Sequence, residues 1–483
     1  MPGQIVQASR EPSAGHAAAV TLKDCDMTLK DLRGLAVSTH NTRSLDRFEA
    51  ALEVLQGYYG DPLTVIDHAL ADDPGFAMGH ALRAGLMITA GDGTVAPLLR
   101  QSVEAGEALH ATANVRERRH IAAARAWLEG DFARAVQSYG DIVVDYPRDV
   151  LALQVAHIGD FLLGQSTLLR DRIAQVLPHW NAHLPGYGYV LGMHAFGLEE
   201  THRYEQAEER GRFALELNPR DPWAVHAVAH VMEMQGRVDE GIGWLRGREA
   251  DWSRDNMLAI HNWWHLALFH LELGHTREVL ALYDTRIREQ PSAVALDLID
   301  ACAMLWRLHL RGIDVGGRWS DLADAWQARG AAGFYAFNDT HAAMAYLGAG
   351  RDEALADLLA RMGDAAAGSG TNAMMARDVG LPVTEGLVAF ARHDHARAVE
   401  LLLPVRQIAH RFGGSHAQRD VINLTLIEAT LRGGQANLAC ALAAERMELK
   451  PMNPSLGTLV QRASALYRVA VEGEVAAPSV KAA

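Results

Sequence analysis

A chain of 483 residues with 49% hydrophobic content can bury a large core, and by domain-size arithmetic it forms either roughly two to three globular domains or one extended repeat array. Its formal net charge of −14, with no long Lys/Arg cluster, argues against a nucleic-acid partner, because neutralising phosphates needs a basic surface. Three well-separated cysteines, Cys25, Cys302 and Cys440, make neither a disulfide framework nor a metal knuckle, and no apolar run reaches membrane-spanning length, so a cytoplasmic protein is expected.

Ala and Leu dominate and strand-like alternation is scarce, which makes the fold class all-α. Residues 1–22 lack an apolar core behind a basic start and are expected to be a mobile N-terminal segment. Residues 23–472 read as a single helical-repeat domain, and 473–483 as a mobile tail.

Within that domain, small residues at helix crossings, glycines at first-helix ends and prolines at second-helix ends recur with a period in the thirties, the length of one helix-turn-helix repeat. Copies lie around Ile66, Ala69 and Pro74; at Gly130, Ala135, Tyr139 and Pro147; and at Tyr204, Ala207, Leu215 and Pro219. Others run through Gly236, Gly241 and Leu245, through Gly274, Val279, Tyr283 and Pro291, and, more weakly, around 350–358, 398–402 and 434–451. These are degenerate tetratricopeptide-type repeats, expected to stack as an α-solenoid. Extra residues near 160–190 and 310–335 are expected to curl the array around a central cavity, and Leu177–Gly188, with two prolines and two glycines, is the clearest non-helical insertion.

Between Trp223 and Leu273 the sequence places polar groups where helices meet. Positions i, i+4 and i+7 share one helix face, so His226, His230 and Glu233 form one stripe, and His261 and His265 form another. Gly236 ends the helix carrying the first stripe, which assigns both stripes to the first helices of successive repeats, the helices that face the concave side. Neighbouring first helices lie roughly 8–10 Å apart, so the stripes are expected to converge. Asn262 and Trp264 lie beside them. Four imidazoles and a carboxylate are an ordinary ligand set for a divalent metal, with His226, His230, His261 and His265 as the candidates. The same groups also suit proton transfer, or a buried hydrogen-bond network that fixes helix register. A zincin is excluded, because Ala stands where its glutamate would be.

Further polar groups enter apolar helices downstream. Asp297 and Asp300 are followed by Arg307, a prospective ion-pair partner of Asp300. Asn338, Asp339 and His341 open another helix, where one of the first two is expected to be an N-cap. Ser415 is expected to cap the helix that takes Arg419 and Asp420 into an apolar environment, with Arg419 as an anion anchor.

The ordered set Gly192–Glu199, Trp223–His230, Asp255–His265, Leu296–Asp300, Phe337–His341 and Gly413–Asp420 resembles the tetratricopeptide repeat protein 38 family across about residues 25 to 465. The resemblance implies a cytosolic helical-repeat protein. The family has no settled activity to carry over, and His416 departs from its pattern, which has Asn there.

The function expected is a buried pocket that binds and transforms a small molecule. His226, His230, Glu233, His261, His265, Asp339 and His341 are its catalytic candidates, and Asn262, Trp264, Asp297, Asp300, Asn338, Arg419 and Asp420 its binding candidates. A hydrolase or lyase with a divalent metal is one form of this. The partner expected is a small molecule, with no nucleic acid and no membrane, and with a homo-oligomer or protein partner left open. The alternative is a scaffold holding a peptide in its concave groove. First helices carrying His, Trp and short acids, with little Lys, favour the enclosed pocket.

Overall fold

The computed structural model describes residues 29–476, so Cys25, the expected mobile segment 1–22 and residues 477–483 lie outside the described residues. Helix follows helix from Thr42 to Ala476, and among the described residues the only extended pairings are the isolated bridges Lys30–Ala36 and Tyr59–Asn256. The all-α, tetratricopeptide-type array is the observed architecture. The last helix, Leu456–Ala476, runs past Gly473, where the tail was expected to begin. No described helix is long and apolar enough to cross a membrane.

The repeat hairpins form for local reasons. In the pair Val115–Leu128 and Phe132–Asp145, Asn114 and Glu117 make a reciprocal capping box, Gly130 turns the chain at φ +85°, and Asp131 caps Arg134 N–H. The expected insertion holds only a short helical turn at Leu177–His179 before an irregular loop up to Gly186.

Six helices position the site: α1 (Tyr187–Glu199), α2 (Pro222–Gln235), α3 (Ala259–Glu272), α4 (Ala295–Leu310), α5 (Ala336–Ala349) and α6 (His416–Arg432). Asp221 caps α2 through Trp223 and Ala224 N–H, Pro222 fills its first turn, and Gly236 ends it at φ +73°. From Pro222 to Met234 every α2 residue is buried, which means the helix is packed on all sides rather than along one stripe. It lies against α1, α3 and α6, while α4 lies against α3, α5 and α6. Residues nearly two hundred positions apart in sequence therefore meet across α2 and α6.

That return closes the array on itself. Tyr335 Oη donates to Leu162 O at 2.8 Å, Asn338 Nδ2 to Gly91 O at 3.1 Å, Thr371 N–H to Gly130 O at 3.1 Å, and Arg329 pairs with Asp92. Trp306 Nε1 donates to Thr425 Oγ1 at 3.0 Å, joining α4 to α6. A half-open cavity of about 890 Å³ is walled by residues from both halves, among them Leu55, Gln154, Ile158, Ile299 and Gln418.

Candidate functional site

The two expected stripes converge. One ligand nitrogen from each of His226, His230, His261 and His265 lies within 4.8 Å of the other three, and all four residues are buried. His226 Nε2 meets His261 Nε2 at 3.0 Å, and the His226–His230 and His230–His265 ring centroids are 4.4 and 4.5 Å apart. The pairs come together because each sits one helical turn apart on a face, and α2 and α3 present those faces to one another.

Carboxylates stand behind three of the rings. Asp300 Oδ2 accepts from His261 Nδ1 at 2.7 Å, and Glu233 Oε2 from His265 Nδ1 at 3.0 Å. Glu199 Oε2 lies 3.4 Å from His230 Nδ1, close but not aligned as a hydrogen bond. An ionised carboxylate accepts only, so Asp300 and Glu233 fix the proton on Nδ1 and leave Nε2 a free lone pair directed at the other rings. His226 has no carboxylate behind it, and its Nδ1 is buried without a partner.

Electrostatics disfavour the charged form of three of the rings. Burial, then the neighbouring imidazoles, hold His226 and His265 well below the ordinary histidine range, and burial holds His230 down to about 4. Burial and the adjacent charge of Glu200 push Glu199 well above the usual carboxylate range. Glu200 goes the other way, because His416 and Arg419 outweigh its burial. His230 Nε2, His265 Nε2, both polar atoms of Asn262, Trp264 Nε1 and Asp300 Oδ1 are buried with no hydrogen-bond partner. Each such atom costs roughly 1–3 kcal/mol, a burden seldom concentrated in one place for packing alone.

The cluster faces the large cavity through His226 and His261. Trp223 stacks on Tyr58 at 5.6 Å between centroids along the same wall, and Gln154 Nε2 donates to Tyr58 Oη at 3.2 Å. Trp264 lies nearly parallel to His261, 5.4 Å away, with the Arg307 guanidinium 5.3 Å from its ring.

The remaining residues that the sequence singles out lie elsewhere, and several expectations need correction. Asp300 pairs with His261 rather than with Arg307, whose guanidinium donates to Ala303 O and Ala417 O. Asp297 is buried near Ser292, and burial raises its carboxyl to about 6. Neither Asn338 nor Asp339 is an N-cap: Asp339 accepts the upstream Gly333 N–H with both oxygens, and Asn338 bridges to Gly91 at the cavity wall. His341 Nδ1 donates to Phe337 O at 2.8 Å, so Asp339 and His341 lie outside the four-ring cluster.

Ser415 does cap α6, in a reciprocal box with Gln418. Arg419, expected as a free anion anchor, is spent on the Gly413 and Gly414 carbonyls and on Glu200, and it lines a separate pocket of about 190 Å³. Asp420 forms a bidentate pair with Arg446 at 2.8 and 2.9 Å.

Sequence reasoning missed Glu199, Glu200 and Lys450. Glu199 and Glu200 end an apolar helix, where they look like solvated end residues, and Lys450 reaches Glu233 at 3.4 Å from a turn more than two hundred residues away. No local period carries that signal. Glu199, Glu200 and His230 form a second group whose ligand atoms lie within 4.8 Å of one another.

No family model matches the chain. In structure it is similar to a human IFIT1 dimer with m7Gppp-AAAA, at 13% identity over 89% of this chain and 95% of that one, TM-score 0.38. A human IFIT1 dimer with PPP-AAAA is similar at 14% identity over 74% and 73%, TM-score 0.34, and yeast Tom70 at 12% over 87% of each, TM-score 0.31. These likenesses concern the helical-repeat fold. The expectation of a small-molecule partner and no nucleic acid is not supported by these findings, since the similar structures include ones with PPP-AAAA and m7Gppp-AAAA.

Proposed function

We propose that the chain is a helical-repeat protein whose large cavity binds a small, largely apolar molecule with its polar end against His226 and His261, where imidazole serves as base or metal ligand. The observation that carries this reading is the opening of the four-histidine cluster onto the cavity of about 890 Å³, which lies within the size range of ligand sites. Asp300 holds His261 by Nδ1 and so leaves its Nε2 as the acceptor that general-base chemistry uses. The resemblance to the tetratricopeptide repeat protein 38 family is compatible with this reading and assigns no reaction; its cytosolic setting accords with the scarcity of cysteine.

A peptide lying along an open concave groove is less well served, since Tyr335–Leu162 and Asn338–Gly91 bridge the two halves across that side. The test uses an apolar fluorophore, anilinonaphthalene sulfonate, on the folded protein. Saturable binding of about one equivalent is expected, abolished by Ile158→Trp, which fills the cavity wall, with the melting midpoint retained. Binding that Ile158→Trp leaves unchanged would overturn the reading.

A further inference from the structure

We infer that His226, His230, His261 and His265 together bind one divalent first-row transition ion, with Asp300 and Glu233 orienting two of the ligands, Glu199 standing behind a third, and His226 as the exchangeable fourth. The inference deepens the cavity reading, and rests on it only in giving the exchangeable ligand a purpose.

Hydrogen-bond accounting separates an ion from a proton network. If the rings served only each other, each imidazole N–H would need an imidazole acceptor, yet a single ring-to-ring hydrogen bond is present, His226 to His261. His261 and His265 have their Nδ1 protons drawn outward to carboxylates, and Glu199 stands on the outer side of His230. What remains in the middle is a set of Nε2 atoms, two of them, on His230 and His265, buried without any partner. Converging Nε2 atoms with carboxylates on the far ring nitrogens are the arrangement by which proteins aim histidine at a metal, and an ion bound there displaces to solvent the proton that His226 Nε2 shares with His261 Nε2.

Distances and donor type narrow the ion. Metal–nitrogen bonds of about 2.05 Å in a tetrahedron set ligand atoms about 3.3 Å apart, and the four nitrogens here already lie within 4.8 Å, with His226 and His261 at 3.0 Å. An all-imidazole set suits zinc, cobalt, nickel, copper or iron, and is a poor match for magnesium or calcium, which take oxygen. The overlapping group of Glu199, Glu200 and His230 is less suited, because Glu200 already accepts from His416 N–H at 3.0 Å and faces Arg419 at 3.7 Å.

Four protein ligands close a tetrahedral ion to substrate, whereas a reactive one keeps a position open. His226 is the ring without a carboxylate behind it and stands on the cavity wall, so it is the ligand held least firmly and the one an incoming molecule reaches.

The experiment titrates Co²⁺ into chelator-stripped, full-length protein with no organic ligand present. One equivalent is expected, with the intense visible bands of four-coordinate cobalt, bleached by Zn²⁺. Glu233→Gln and Asp300→Asn are expected to weaken binding about 10- to 100-fold while keeping the native circular dichroism, and they decide the matter if His265→Ala fails to fold. His226→Ala is expected to retain one equivalent, with a smaller loss of affinity than His265→Ala and bands altered as solvent takes the vacated position. The site is overturned by wild-type protein that takes up no stoichiometric Co²⁺, or by binding that survives Glu233→Gln, Asp300→Asn and His265→Ala undiminished but is lost in Glu199→Gln/Glu200→Gln. A His226→Ala loss equal to that of His265→Ala removes the exchangeable role alone. Because fluorophore binding to the cavity is read separately, an ion without an apolar ligand, or the reverse, shows which of the two proposals has failed.

Discussion

His261 donates its Nδ1 proton to Asp300 Oδ2 at 2.7 Å, across two successive inner helices, α3 and α4. This one contact sets which nitrogen of His261 carries hydrogen, and so leaves the nitrogen facing His226 as an acceptor.

Asp300→Ala leaves that Nδ1–H buried with nothing to accept it. The expected loss is roughly 1–3 kcal/mol of stability, read as a lower midpoint in urea unfolding, with Asp300→Asn losing less because its amide oxygen can still accept. An unchanged midpoint for Asp300→Ala would show that the dyad is not formed in solution.

Gly236 is required twice over. Its φ of +73° is disfavoured for other residues, and a Cβ there would lie 2.7 Å from Asn453 N. Gly236→Ala is therefore expected to cost more than the roughly 1 kcal/mol of the backbone alone and to push away the turn that holds Lys450 on Glu233. Faster amide exchange in residues 450–453 of the variant is the expected signature.

Asp339 gives the pH prediction. Burial raises its carboxyl to about 7, against an unfolded value of about 3.9. The folded state holds the proton longer than the unfolded one, so this contribution to stability is fully present below pH about 4 and is lost as pH rises towards 7. Asp339→Asn, which keeps an acceptor for Gly333 N–H, is expected to flatten that decline. The stability difference between variant and wild type should therefore grow in the variant's favour from pH 4 to pH 8, and a constant difference would contradict it.

The buried Asp420–Arg446 pair supplies a double-mutant test. Burial opposes the charge on Asp420, but Arg446 and Lys450 outweigh it and hold the carboxyl well below the usual range. Arg446→Met should cost about 3–5 kcal/mol, because it strands a buried charge, whereas Asp420→Leu/Arg446→Met should recover most of that. Additive losses in the two single variants would argue that the residues do not interact.

The helical class, the repeat length and the two histidine stripes were legible in the sequence because each depends on local rules. A 3.6-residue period puts His226 with His230 and His261 with His265, and glycine, proline and Asp221 mark where their helices begin and end. Adjacency of successive repeats then brought the stripes together. What the sequence could not decide is which residues stand behind those rings. Asp300 turned from Arg307 to His261, Arg419 was taken up by the Gly413–Gly414 carbonyls, Glu199 came from the end of the neighbouring α1, and Lys450 from a distant turn. Those choices belong to the closure of the array, where α6 returns across α2 and α4 and burial forces each charged group to find whichever partner the packing leaves within reach.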